Sequence, residues 1–269
     1  MNRYLDKSKC HLCARTMFSR LIKNILNFTI TFVLWIYYIC GFLLIFSPFY
    51  MYAFFFSGGR EEAFQKLNCR LHRSFFFLVR TIVPRTKWHI AEEVLAIRSS
   101  IIIANHLSFL DSILFVSLYE RQKTIANIGH FRLPVFGWIL KTSGYIPSLT
   151  GKTIPEEMMK QIEKLEDYFA QGGNLFIFPE GTRSRNGQIG PFDKGAFRIA
   201  RMSRAPIKVV VIRGTGKLYS PGKVAFDACS RNNIEVELVG VLHPDYESAF
   251  FSLPGLMAEA RSLMEGKEK

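Results

Sequence analysis

The sequence lacks the features that mark several special classes of protein. Its 19 glycines and 11 prolines follow no period, which excludes a collagen-like or other fibrous repeat. Charged residues make up 21% and hydrophobic residues 49%, so the chain can bury enough apolar surface to offset the entropy of ordering. Disorder is thereby excluded, and 269 residues fit one domain with an appendage or two small domains.

The sequence also lacks a cysteine framework. Its cysteines are five, an odd number. Cys10 and Cys13 have the spacing of half a zinc site, but no second Cys or His pair follows at the spacing of a zinc finger. We therefore expect no bound metal and reduced thiols in a protein that faces the cytosol.

Acidic residues are scarce in three segments. The whole chain carries 35 Lys and Arg against 22 Asp and Glu, a net charge of +13. Residues 1–23 contribute +5, residues 60–87 contribute +5, and residues 198–223 contribute +7 with no acid at all. Such basic segments attract nucleic acid, anionic lipid headgroups or phosphorylated substrates, and charge alone does not choose among these partners.

Residues 24–59 contain no charged side chain, which points to a membrane. Thirty-six uncharged, mostly apolar residues exceed the ~20 that one spanning helix needs. Gly41 and Ser47-Pro48 weaken a helix, and both flanks are basic, so we favour a hairpin of short helices that enters and leaves on the cytoplasmic side. A single tilted spanning helix and a buried soluble hairpin are the alternatives.

Apolar periodicity predicts an α/β fold after this segment. Residues 60–98 are predicted to be mostly helical. Predicted strands cover 101–104, 123–128, 174–178, 206–212, 224–227 and 234–241; predicted helices cover 109–119, 134–142, 153–170, 194–201 and a final segment from about 252. Strands alternating with helices predict a mixed, partly parallel sheet flanked by helices over residues 60–269, after a membrane-associated helical segment over residues 1–59.

A polar loop follows the apolar strand predicted at 101–104. It carries His106, and Asp111 lies five residues on, in the first turn of a helix. Ligands of open α/β sheets bind at the carboxyl ends of strands. Because the imidazole precedes the helix, the carboxylate can reach back to one of its nitrogens, which prepares the other nitrogen as a general base. The alternative is a helix cap beside an ordinary surface histidine.

A second polar loop follows the strand predicted at 174–178. Gly181 permits close backbone approach, Thr182 offers a hydroxyl, and Arg183 offers a planar guanidinium suited to phosphate. This composition predicts an anion site. The alternative is an ordinary turn with a solvated arginine.

Together the two loops resemble the glycerolipid acyltransferase family, which includes the bacterial lysophosphatidic acid acyltransferases. That family carries an NHxxxxD block followed about seventy residues later by an FPEGTRS block, and both are intact here, at 105–111 and 178–184. The resemblance covers residues 99–213. It implies that His106 and Asp111 are the catalytic dyad. It also implies that Glu180, Gly181, Thr182 and Arg183 bind the phosphate-bearing acceptor.

Two further blocks of the family are partly present. The segment 131–137 matches one of them and implies a substrate-binding role for Arg132, Pro134 and Gly137. In the glycine-led strand that follows, Pro147 and Thr150 stand where an apolar residue and an arginine are expected, which bears on the acceptor headgroup. In the last block, Val209 stands where a second proline is usual.

The resemblance implies a membrane-attached O-acyltransferase with its active site at the cytoplasmic face. Its partners would be membrane lipids, a lysolipid acceptor such as 1-acyl-glycerol 3-phosphate, and acyl-CoA or acyl carrier protein as donor, with no cofactor, metal or nucleic acid. No GxSxG sequence is present, so direct transfer is expected without an acyl-enzyme. Another lysolipid acceptor, a non-catalytic basic protein and a metal-dependent hydrolase remain as alternatives.

Overall fold

The computed structural model describes residues 3–148 and 156–266, with side chains described over 19–148 and 158–266. The helices are α1 (Arg3–Cys40), α2 (Ser47–Phe56), α3 (Arg60–Ile82), α4 (Glu92–Leu95), α5 (Phe109–Leu118), α6 (Pro134–Thr142), α7 (Glu156–Glu163), α8 (Leu165–Ala170), α9 (Lys194–Met202), α10 (Thr215–Leu218) and α11 (Leu253–Glu265). The strands are β1 (Thr86–Ile90), β2 (Ser100–Ala104), β3 (Gln122–Ala126), β4 (Ile146–Pro147), β5 (Asn174–Ile177), β6 (Ile207–Arg213) and β7 (Asn232–Leu242).

The strands form one mixed seven-stranded sheet in the order β1-β7-β6-β2-β5-β3-β4. All neighbouring pairs are parallel except β6 and β7. The expected mixed, partly parallel α/β fold is therefore confirmed. Strand β2 lies between β6 and β5, so it occupies the centre of the sheet.

Both faces of the central strand are covered, which explains the apolar run Ile101–Ala104. Ile102 and Ala104 belong to the core beneath α3 and α5, whereas Ile101 and Ile103 belong to the core beneath α8, α9 and α11. All five residues of β2 are buried. A strand buried on both faces fixes the position of whatever follows it.

The N-terminal apolar segment is not the hairpin that we favoured. Helices α1 and α2 run on through a π-helical segment, Gly41–Phe46, whose flanking residues keep right-handed helical dihedrals. Wider π-turns accommodate a proline within a helical run, because its missing N–H and its ring need not break the ladder there. Within the described residues, one run, Ser19–Phe56, is long and apolar enough to cross a membrane, and little of it is covered by the rest of the protein.

The chain reverses only after α2. Ser57 is extended, Gly59 precedes α3, and α3 then packs back along the preceding helical run. Tyr50 and Phe64 contact each other edge to face across this pair, with ring centroids 5.1 Å apart. The helical hairpin therefore exists, but its second arm is the amphipathic helix that begins at Arg60.

Three other expectations differ from the structure. The predicted helix over 60–98 ends at Ile82, and the edge strand β1 follows it. Residues 224–227 are not a strand. The helix predicted over 153–170 is divided between Glu163 and Leu165, and its expected start at Thr153 lies outside the described residues, as does Thr150.

Candidate active site

The two polar loops meet at one edge of the sheet. Strands β2 and β5 are parallel neighbours, with Ile103 opposite Ile177. The segments that follow them therefore leave the sheet side by side, although His106 and Glu180 are 74 residues apart in the chain.

His106 and Asp111 are brought together by the start of helix α5. Ser108 caps this helix, and Asp111 is its third residue, so the pair forms a capping box. Asp111 Oδ2 lies 3.0 Å from His106 Nδ1 and also accepts hydrogen bonds from the backbone N–H groups of Leu107 and Ser108. The Asp111 side chain is completely buried. The local fold thus holds the carboxylate in place before any substrate binds.

The same hydrogen bonds define the chemistry that the imidazole can perform. A carboxylate only accepts hydrogen bonds, so Nδ1 is the protonated ring nitrogen and Nε2 keeps its lone pair. The ring stacks on Phe178, with centroids 4.1 Å apart and planes 16° apart. Its side chain is 15% exposed. An oriented, partly accessible imidazole backed by a buried carboxylate is the arrangement of a general base.

Glu180 joins the two loops through backbone contacts. Its Oε1 accepts the N–H of His106 at 2.9 Å, and its Oε2 accepts the N–H of Gly190 at 2.8 Å. The N–H of Ser184 in turn donates to the carbonyl of His106 at 2.7 Å. Both oxygens of Glu180 are therefore engaged within the protein. This geometry suits a residue that positions the loops rather than the substrate contact that the family resemblance implied.

The other residues expected to bind the acceptor are open to solvent. Gly181, Thr182 and Arg183 are exposed, and Gly181 has a φ of +66°, a backbone conformation that favours glycine. Across the described parts of the chain, no hydrogen bond or ion pair engages the Arg183 side chain. Arg183 directly precedes Ser184, whose N–H donates to the carbonyl of His106. The unpartnered guanidinium is therefore carried by a residue next to the loop that holds the dyad.

The block at 131–137 is placed for packing more clearly than for binding. Pro134 is the first residue of α6, and Arg132 is exposed. A Cβ on Gly137 would lie 2.3 Å from the carbonyl oxygen of Phe131, so only glycine permits this close approach. Among the described residues, no hydrogen bond or ion pair links Arg132 to His106, Asp111 or Glu180.

Sequence reasoning missed Asn105, whose side-chain amide is hydrogen-bonded through both its nitrogen and its oxygen. Its side-chain amide donates to the carbonyl of Ile212 at 2.9 Å and accepts the N–H of Ile212 at 2.7 Å. This buried amide continues the β2–β6 ladder by one residue and so holds the start of the dyad loop. A polar residue directly after the apolar run 101–104 is the signal that could have revealed it.

No group of three or more His, Cys, Asp or Glu side chains that could hold a metal ion occurs within the part of the chain whose side chains are described. Cys10 and Cys13 fall outside that part.

Comparisons with known proteins show similarity to acyltransferases. Residues 85–213 match the family model described as Acyltransferase. The chain is 37% identical over 120 residues to the chloroplastic 1-acyl-sn-glycerol-3-phosphate acyltransferase BAT2 of Brassica napus, a match covering 45% of this chain and 34% of that protein. It is 31% identical over 167 residues to the 1-acyl-sn-glycerol-3-phosphate acyltransferase of Saccharomyces cerevisiae, covering 61% and 54% of the two chains.

A solved structure shares the fold over nearly the whole chain. The 1-acyl-sn-glycerophosphate acyltransferase PlsC of Thermotoga maritima superposes with a TM-score of 0.64 at 20% identity, covering 92% of this chain and 96% of that one. The matches to the two curated relatives, in contrast, span only 34% and 54% of those proteins' lengths.

Proposed function

We propose, on the premise that residues 85–213 of this chain belong to the acyltransferase family, that the protein moves a fatty acyl group from a thioester to the free hydroxyl of 1-acyl-glycerol 3-phosphate. The observation that carries this proposal is the His106–Asp111 pair, held by the capping box of α5 at the carboxyl end of β2.

The reaction follows from the accessible nitrogen of the imidazole. Nε2 of His106 takes the proton of the acceptor hydroxyl as its oxygen attacks the thioester carbonyl carbon. The new C–O bond forms, the C–S bond breaks, and the leaving thiolate takes the proton back from the imidazolium. Asp111 stabilises the charged ring throughout.

Direct transfer needs no acyl-enzyme. Ser108, the hydroxyl nearest in sequence, is completely buried and donates to the carbonyl of Tyr219 at 2.7 Å. It therefore lacks both the access and the base that a nucleophilic serine requires. This chemistry uses no metal or cofactor, with acyl-CoA or acyl carrier protein serving as co-substrate.

The acceptor phosphate would be bound by Arg183, with the hydroxyl of Thr182 and the flexible backbone of Gly181 beside it. A planar guanidinium with no partner in the described protein is well suited to a phosphate. The two curated relatives described above are named for the same acceptor. Glu180 contributes by holding both loops, and Arg132 adds a further exposed cation.

The protein would act on lipid at the membrane surface. Apolar side chains are exposed along the helical run Ser19–Phe56, and basic segments flank it on both sides. Trp35 in this run lies 6.3 Å from the ring of Phe109, at the start of α5. The helix thus passes beside the dyad loop, where a lysolipid could enter from the bilayer. We place the active site at the cytoplasmic face, as the family resemblance implies.

Purified protein in detergent, assayed with a panel of lysolipids and with acyl-CoA or acyl carrier protein as donor, tests the proposal. We expect His106→Ala to lose about 10²- to 10⁴-fold in kcat while keeping its thermal stability, because general-base catalysis contributes that much. His243→Ala, another exposed histidine, is the matched control. Equal turnover by His106→Ala and the wild type would overturn the general-base mechanism. Preference for an acceptor without phosphate would overturn the assignment of 1-acyl-glycerol 3-phosphate as the acceptor.

A further inference from the structure

An exposed apolar cluster lies at the start of helix α6. Leu133, Val135 and Phe136 are 50%, 52% and 42% exposed, and we call these three residues the apolar tip. Contiguous exposed apolar patches mark sites of interaction, whereas single exposed apolar side chains are normal. The apolar tip has no role in the chemistry proposed above.

The backbone of the apolar tip is fixed. The N–H of Leu133 donates to the carbonyl of His130, and the N–H of Gly137 donates to the carbonyl of Leu133 at 2.8 Å. Phe131, just before the tip, is buried in the core of the domain. The exposed side chains therefore stand on a hydrogen-bonded turn that is anchored to the core through Phe131.

The apolar tip continues the apolar surface of the N-terminal helices. Trp138, two residues beyond the tip, contacts Phe54 of α2 and Phe64 of α3 edge to face, with ring centroids 5.2 and 5.1 Å apart. The next side chains of α2, Phe55 and Phe56, are 62% and 74% exposed. The tip and the end of α2 are thus neighbouring parts of one exposed apolar region.

Cations surround this region. The guanidinium of Arg60 lies over the Phe54 ring, 4.9 Å from its centroid, and Arg132 and Lys141 are exposed on either side of the tip. The sequence contains no acidic residue between Glu120 and Glu156. Exposed apolar side chains bordered by Arg and Lys complement a bilayer surface, where acyl chains lie beneath anionic headgroups.

We infer that the apolar tip is a second membrane-contact element, which inserts into the headgroup and acyl boundary beside α2 and holds the α/β domain against the bilayer. The inference rests on the membrane attachment in the proposed function. It assigns to α6 a contact that the apolar helices alone do not provide.

Depth-dependent quenching tests the inference on the full chain. The five cysteines are first replaced, Cys69 by Ala because it is buried and the others by Ser. Val135→Cys then carries an environment-sensitive nitrobenzoxadiazole label. Ser262→Cys, exposed on α11 at the other face of the sheet, is the matched control. Both proteins are reconstituted into phosphatidylcholine–phosphatidylglycerol vesicles with doxyl-labelled lipid.

We expect doxyl lipid to quench the label at residue 135 at least about twice as strongly as the label at residue 262. We also expect the emission of the label at residue 135 to be blue-shifted. Equal quenching at both positions in protein that floats with the vesicles would overturn the inference and leave the proposed function standing. Failure to float would overturn membrane attachment itself. A blue shift that appears in detergent without lipid and grows with protein concentration would identify a second copy of the chain as the occupant, and would also overturn the inference.

Discussion

At the scale of single residues, Asp111 combines two functions in one carboxylate oxygen. Oδ2 caps helix α5 through the N–H groups of Leu107 and Ser108, and it also receives the imidazole of His106. The geometry of the pair therefore depends on contacts within six consecutive residues. The N-terminal capping box of helix α5 is therefore enough to place the carboxylate beside the imidazole.

Glu180 and Arg183 lie in the same loop and should respond differently to substitution. In Glu180→Gln, an amide N–H₂ would face a backbone N–H that now donates to a carboxylate oxygen, so we expect a loss of about 1 kcal/mol or more in stability and a fall in kcat.

Arg183→Ala should leave the melting temperature unchanged, because the side chain is exposed and unpartnered in the described protein, and should raise KM for a phosphorylated acceptor.

Thermal unfolding and steady-state kinetics on both variants check this contrast. A Glu180→Gln protein as stable and as active as the wild type would show that the two loops do not need the bridge. For Arg183→Ala, a raised KM for the thioester alone would contradict contact with the acceptor phosphate.

His72 should make the protein sensitive to acid. Burial lowers the pKa of His72 from 6.5 to about 4, with the opposing contribution of its hydrogen bond to the carbonyl of Asn68. Between these two values the unfolded chain binds a proton that the folded chain does not. Stability attributable to this group is therefore intact above pH 6.5 and falls as the pH is lowered to 4, by up to about 3 kcal/mol.

The pH profile of His72→Gln tests this linkage. We expect the difference in unfolding free energy between wild type and variant to shrink as the pH falls from 6.5 to 4, since glutamine does not titrate. A difference that stays constant over that range would show that His72 is not protonated on unfolding.

At the scale of elements, helix α1 is a docked part of the domain as well as an apolar helix. Asn27 accepts the N–H groups of Ala228 and Cys229, and Thr31 accepts the N–H of Phe226 at 2.8 Å. These polar residues form one stripe of the helix, and apolar side chains such as Phe28 and Phe32 are exposed beside it. Within the segment 224–227, the N–H of Phe226 donates to this helix and the N–H of Asp227 donates to the carbonyl of Leu218, so neither pairs with a neighbouring strand.

Thr31→Val should loosen that docking. Valine has nearly the same shape but no acceptor, so the buried N–H of Phe226 would lose its partner at a cost of about 1–3 kcal/mol. Thr31→Ser keeps the hydroxyl and is the matched control. Unfolding of both variants in detergent measures the effect, and equal stability of the two variants would mean that this hydrogen bond contributes nothing.

At the scale of the whole molecule, the sheet order creates the site. Strands β2 and β5 are neighbours although β3 and β4 separate them in the chain, so the loop with Glu180 meets the loop with His106. In the function and the further contact proposed above, the exposed apolar side chains of α1, α2 and the apolar tip orient this assembled site against a lipid surface.

Attachment of the whole protein should resist salt. Charge attraction between a basic surface and anionic lipid is screened at high ionic strength, whereas burial of apolar side chains is not. We expect the protein to stay in the membrane pellet in 1 M NaCl and to be released by detergent, as followed by sedimentation and immunoblotting. Release by salt alone would show that the basic segments, and not the apolar helix, hold it there.

The sequence by itself determined what depends on neighbours along the chain. The strand over 101–104, the helix from Phe109 and the contact of Asp111 with His106 all follow from apolar runs, a helix cap and a spacing of five residues. The alternation of strands and helices predicted the α/β fold, and the family resemblance joined the two polar loops into one site. Features of this kind can be predicted from the sequence because they depend on a few residues that are close together in the chain.

Only the tertiary structure decided what depends on distant partners. The sequence favoured a hairpin within the apolar segment over the continuous helical run Ser19–Phe56. It did not predict the edge strand β1 or the hydrogen bond between Glu180 and the backbone of His106. The edge strand and the Glu180 contact depend on segments far apart in the chain, because β7 pairs with β1 and the pairing of β2 with β5 brings Glu180 to the backbone of His106. The apolar run depends on the packing of α3 against it after the turn at 57–59. The secondary-structure propensities of short segments do not predict such pairings, because the free energy of a pairing arises only when the fold brings the partners together.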